Sequence, residues 1–117
     1  MLNLLVIWSQ EPTNLVKFYN LLGVNLQPEQ HGKGPLHYAA QLSGNTIFEI
    51  YPAASAEKVT QNIRLGFDVD NLATILDEIT KIGGTIHQAA KMSDWGYRAV
   101  VLDPEGRKVE LIERPKS

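Results

Sequence analysis

The chain has 117 residues, a formal net charge of -2 and no cysteine. That length suits one domain able to bury roughly two-thirds of the surface its unfolded chain exposes, and the lack of cysteine excludes disulfides and thiolate zinc sites. No run of Lys or Arg forms the footprint of a nucleic-acid binder. No apolar stretch could cross a bilayer as a helix, and the apolar start lacks the basic leader of a signal peptide, so a cytoplasmic protein is expected.

Leu2 to Trp8, rich in Leu, Val and Ile, reads as a buried strand. Pro12 suits a first helical turn, where its missing N–H costs least. Leu15, Phe18, Tyr19 and Leu22 then recur at helical spacing, and Gly23 supplies a stop. Val24 to Pro28 predicts a short strand and Glu29 to Pro35 a polar loop. In that loop Gly32-Lys33-Gly34 precedes no helix and so is no phosphate loop. Leu36 to Leu42 and Thr46 to Tyr51 predict a hairpin around Ser43-Gly44-Asn45. Pro52 to Asn62 reads as a connector.

The second half repeats the plan. Ile63 to Asp70 alternates, with Leu65, Phe67 and Val69 on one face and Arg64, Gly66 and Asp68 on the other. Asn71 can cap a helix whose apolar stripe is Leu72, Ile75, Leu76, Ile79 and Ile82, ended by Gly83-Gly84. Thr85 to Gln88 predicts a strand and Ala89 to Asp94 a loop. Trp95 to Leu102 and Arg107 to Glu113 predict strands joined by Asp103-Pro104-Glu105-Gly106, the chemistry of a type I turn with a bulge. Asn14-Leu15 and Asn71-Leu72 open the two helices, and Phe48-Glu49-Ile50 and Val109-Glu110-Leu111 lie in the last strand of each half. Matching elements at near-constant spacing argue for a repeated unit. The expected fold is α+β: two β-α-β-β-β modules, about residues 1–52 and 63–114, whose sheets are expected to pack side by side because neither buries its apolar surface well alone.

Phe18-Tyr19-Asn20-Leu21-Leu22-Gly23, Phe48-Glu49-Ile50-Tyr51-Pro52, Phe67-Asp68-Val69-Asp70-Asn71 and the run from Trp95 to Ile112 resemble the vicinal oxygen chelate superfamily of glyoxalase I, bleomycin resistance proteins and extradiol dioxygenases. The resemblance covers nearly the whole chain, and the Asp-Pro-Glu-Gly turn before Val-Glu-Leu is its most specific piece. It implies that the sheets form a cup-shaped mixed sheet with a metal in the cup, held by His or Gln on the first strand and Glu on the last strand of each module. The last-strand positions match as Glu49 and Glu110, but the first-strand positions fall at Leu4 and Arg64. Leucine has no donor atom and guanidinium no available lone pair. The expectation is therefore no cofactor; a divalent metal held by Glu49 and Glu110 with waters is the alternative. In the metal's place, Arg64 is expected to tie the two acids together, joined by Arg98, since Arg98, Val100, Glu110 and Ile112 share a face if the hairpin turns as read.

Trp8 is expected in the cup, on the face of Leu4 and Val6, and Tyr38 on a face shared with Leu42, Glu49 and Tyr51. Trp95, after a loop, suits a lid or rim. His31 reads as an exposed loop residue and His87 as a solvated strand residue. Pairing across Gly44-Asn45 puts His37 with Phe48 and Ile50, on the face away from Glu49. Glu105 and Arg107 flank a turn glycine and read as solvated. The candidate ligand-binding set is Trp8, Tyr38, Glu49, Tyr51, Arg64, Trp95, Arg98 and Glu110. The functional expectation is metal-free binding of a small molecule by a homodimer with no nucleic-acid or membrane partner. A metal-dependent lyase, isomerase or dioxygenase is the alternative, and a degenerate domain serving association the third.

Overall fold

The computed structural model describes residues 1–115. Two units follow one another along the chain, residues 1–61 and residues 62 onward. The first contains β1 (Leu4–Ser9), α1 (Pro12–Leu21), β2 (Gln27–Glu29), β3 (His37–Gln41) and β4 (Ile47–Pro52). The second contains β5 (Leu65–Asp68), α2 (Leu72–Lys81), β6 (Thr85–Ser93), β7 (Gly96–Leu102) and β8 (Lys108–Glu113). A turn of 3₁₀ helix, Ala56–Lys58, lies in the segment between β4 and β5. The sheet orders are β1-β4-β3-β2 and β5-β8-β7-β6, the same topology twice. β1 runs parallel to β4 and β5 to β8, while the other pairs are antiparallel. The fold is thus α+β, built of two β-α-β-β-β modules.

Local chemistry explains the helix ends. Pro12 opens α1, and Gly23, at φ 97°, follows its end in the left-handed region. Asn71 caps α2, its Oδ1 accepting from the Thr74 N–H at 3.1 Å. The neighbouring Leu72 N–H donates to Glu113 Oε1 at 2.7 Å, so the side chain of β8 pairs another free donor at the same end. In the first module Leu15, Phe18 and Tyr19 of α1 are fully buried with Ile7, Phe48 and Ile50. Tyr19 meets Phe18 and Phe48 edge-on, with ring centroids 5.0 and 5.4 Å apart. In the second, Leu72 and Ile79 of α2 are fully buried, as are Val101, Val109 and Leu111 of its sheet. Ile82, expected in that stripe, lies beyond the helix and is 51% exposed.

Three expectations need correction. Residues Ala89 to Ser93, expected as a loop, continue β6. The register of β6 against β7 shifts between Ile86 and Gln88 and again between Gln88 and Lys91. Such irregularities destroy the two-residue alternation by which a strand is recognised. The β3–β4 hairpin is displaced by one residue. Its loop is Ser43-Gly44-Asn45, closed by the Leu42 N–H donating to the Thr46 carbonyl at 2.8 Å, with Gly44 at φ 75°. Tyr38 therefore faces Ile50 and Ala39 faces Glu49, which exchanges the faces of every β3 side chain relative to β4.

Glu105 and Arg107 are not solvated. Asp103 Oδ1 accepts from the backbone N–H groups of Glu105 (2.9 Å) and Arg107 (3.1 Å). The Arg107 guanidinium meets Asp103 Oδ2 at 3.0 Å and Glu105 Oε1 at 2.9 Å. The side chains of Asp103 and Arg107 are 0% and 3% exposed. The turn itself is as read: Gly106 N–H donates to the Asp103 carbonyl and Asp103 N–H to the Arg107 carbonyl, both at 2.9 Å, with Gly106 at φ 89°. Removing one member of a buried ion pair strands the other without solvent. Arg107→Ala should accordingly lower the unfolding free energy by about 3 kcal/mol, read from the urea midpoint at unchanged slope.

Candidate functional site

The register of the first sheet lines four side chains across one face. Trp8 of β1 pairs with Tyr51 of β4; continuing the β3–β4 register sets His37 beside Tyr51; and His37 pairs with Glu29 of β2. Directly opposed residues point to the same face. The row is in contact: Trp8 and Tyr51 ring centroids are 6.0 Å apart, and Tyr51 stacks on His37 at 4.2 Å with 8° between planes. His37 Nδ1 lies 3.1 Å from the Pro35 carbonyl, and Nε2 lies 3.1 Å from Glu29 Oε1 and 3.5 Å from Glu49 Oε2. His31, two residues beyond Glu29, places its Nε2 2.7 Å from the same Glu29 oxygen. His37 is buried, Glu49 nearly so, Glu29 half-exposed and His31 exposed.

His37 was expected on the face away from Glu49 and instead touches it. Tyr38, expected beside Glu49 and Tyr51, lies on the opposite face with Ala40, opposite Ile50. Both follow from the one-residue shift. Glu29 and His31 carried no site expectation; their signal was the Glu-x-His spacing, which sets alternate residues on one side of an extended segment.

The cluster is a network of hydrogen bonds and charge contacts. Burial opposes a charge on His37, but the Pro35 carbonyl and then Glu29 and Glu49 outweigh it and raise its pKa above 6.5. Hydrogen bonds from His37 and His31 hold Glu29 below the ordinary 4.5. Burial, followed by the charges of Glu49 and Glu29, raises Tyr51 and keeps its phenol protonated at neutral pH.

In the second module Arg98 and Glu110 share a face, as the turn implied, and Arg64 approaches it from just before β5. Val100 pairs with Glu110, Arg98 with Ile112, and Gly66 with Glu110. Arg98 Nε donates to Glu110 Oε1. Arg64 reaches the same oxygen more distantly, at 4.0 Å. Arg114 pairs with Asp68 at 3.1 Å. An open cleft of about 380 Å³ is lined by Trp95, Arg98, Glu110, Ile112 and Arg114. Trp95 is 66% exposed at it. Arg114 was not among the expected residues, because it lies past the last strand where no periodicity marks it.

A family model for the glyoxalase-like domain matches residues 5–112, spanning both modules. The chain belongs to the glyoxalase-like domain family. No curated protein sequence matches it. Among solved structures, the oxidase ChaP-H2 is similar at 20% identity and TM-score 0.76, over 100% of this chain and 95% of that one. A glyoxalase family protein from Bacillus cereus gives 15% identity and TM-score 0.78, over 99% and 94%. TnmS3, an antibiotic binding protein from Streptomyces sp. CB03234, gives 17% identity and TM-score 0.73, over 98% and 96%. These likenesses establish the glyoxalase-like fold; one fold carries many activities.

The family resemblance puts metal ligands at positions that hold Leu4 and Glu49 in the first module and Arg64 and Glu110 in the second. This set does not fit an ion, since Leu4 offers no donor and Arg64 no lone pair. Arg98 already occupies Glu110. No helix among the described residues is long and apolar enough to cross a membrane.

The two shifted groups of the first module define a pH window. The stability contributed by His37 is complete below its unfolded value of 6.5 and is lost as pH rises through its raised folded value. That of Glu29 is complete above 4.5 and is lost as pH falls through its lowered folded value. Docking of β2 on β3 should therefore be firmest between those values. Amide exchange of Ala39 and Glu29, corrected for intrinsic pH dependence, should show greatest protection there, and Glu29→Gln should flatten the profile.

Proposed function

We propose that this glyoxalase-like protein binds a small, partly apolar organic anion on the open face of its second sheet, without a metal in that cleft. The observation that carries the reading is the state of Glu110. In a metal centre this carboxylate would be a ligand; here Arg98 and Arg64 neutralise it. The face then carries three arginines, Arg64, Arg98 and Arg114, against two acids, Glu110 and Asp68. A planar guanidinium suits a carboxylate or phenolate. Trp95 and Ile112 supply apolar walls for a ring. Binding has a precedent on this fold in the antibiotic binding protein from Streptomyces, and the oxidase ChaP-H2 shares the same fold. A metal-dependent lyase, isomerase or dioxygenase is disfavoured because Leu4 and Arg64 stand at two of the four ligand positions.

Titration with a panel of aromatic carboxylates, followed by tryptophan fluorescence, tests the reading. A binder should quench Trp95, weaken with added salt and lose about tenfold in affinity in Arg98→Ala, as expected for one charge-assisted hydrogen bond. The matching neutral amides should bind weakly to both proteins. Equal affinity for acids and amides, or no loss in Arg98→Ala, would overturn it.

A further inference from the structure

We infer that Glu29, His31 and His37 form a site for one divalent transition-metal ion of the zinc type, away from the positions where the family resemblance puts a metal. The inference concerns the first module alone and does not rest on the ligand cleft of the second.

The ligand atoms of the three side chains lie within 4.8 Å of one another. Four ligands held tetrahedrally at about 2.1 Å from an ion are about 3.4 Å apart. His37 Nε2 stands 3.1 Å from Glu29 Oε1, already near that spacing. The His31–Glu29 contact, 2.7 Å, must open slightly. Those two residues are the exposed pair, at the end of β2 and in the loop after it, where movement is cheapest. Glu49 is not part of this convergent group, so water would complete the shell of the ion.

The support behind the ligands is what a metal-binding imidazole requires. The Pro35 carbonyl accepts from His37 Nδ1, which leaves Nε2 as the ligand atom aimed at the acids. Stacking on Tyr51 fixes the ring plane. A His37 that donates from both nitrogens is an imidazolium, so the incoming ion takes the place of the Nε2 proton and releases it to solvent. Exposed His31 leaves the entry path open. Two imidazoles with a carboxylate select Zn²⁺, Co²⁺ or a similar ion over Mg²⁺ and Ca²⁺, which prefer all-oxygen shells.

Calorimetric titration of tag-free protein with Zn²⁺ near neutral pH should show one ion per chain. His31→Ala and Glu29→Gln, at positions exposed enough to leave folding intact, should each weaken binding by at least about tenfold. His87→Ala, on exposed β6, should leave it unchanged. Co²⁺ should give the visible absorption of a four-coordinate site in the parent and lose it in both variants. Absence of stoichiometric binding, affinity indifferent to both variants, or a loss in His87→Ala equal to theirs would overturn the site and leave the cluster an ion-pair clamp.

Discussion

The hydrogen bond from the Leu42 N–H to the Thr46 carbonyl closes a three-residue loop and sets the register of β3 on β4. Both faces of the first sheet depend on it. On one face Phe48 and Ile50 meet α1, and Ala40 fits beside Phe48 because it is small. On the other face His37 comes to Tyr51 and Glu49. A two-residue loop would move the pairing by one and turn the imidazole toward the aromatic cluster of Phe18, Tyr19 and Phe48, where no acid waits for it. The burial of the core and the assembly of the polar cluster are consequences of one turn.

The second module uses a different turn for the same end. Asp103 and Arg107 form a buried, bonded corner that holds β7 against β8. This fixes Val100 opposite Glu110 and Arg98 opposite Ile112. The terminal-strand glutamate thus meets a side chain two residues before its direct partner. The first module repeats the geometry: Ala39 opposes Glu49, and His37 is two residues before it. His37 and Arg98 are equivalent positions of the duplicated unit.

Much of this was readable from letters alone. The two-module plan, the Asn71 cap, the buried face of α1 and the face shared by Arg98 and Glu110 follow from periodicity and turn chemistry, and they appear as read. The β7–β8 register was legible because Asp-Pro-Glu-Gly admits one turn. Ser43-Gly44-Asn45 admits two loop lengths, differing by one residue, and the sequence offers nothing local to choose between them. That choice decided whether His37 joined Glu49 and whether Tyr38 did. Arg107 misled for another reason: a charged residue beside a turn glycine is usually solvated, and only the closing of Asp103 over it buries the pair. The extension of β6 was hidden by its bulges.

The duplication gives the difference between the modules its meaning. Each has a terminal-strand carboxylate, and each sets a basic group beside it from the neighbouring strand. In the second module that group is a guanidinium, which keeps its charge at any pH the protein meets and can only neutralise Glu110 or bind an anion. In the first it is an imidazole, whose second nitrogen is tied to Pro35 and whose proton is held by Glu29 and Glu49. An imidazole can give that proton up and become a lone-pair donor. One scaffold position therefore sets the chemistry of its module by residue type alone. Arginine equips the second sheet to pair with carboxylates such as Glu110, and histidine gives the first a nitrogen that can exchange its proton for a metal cation.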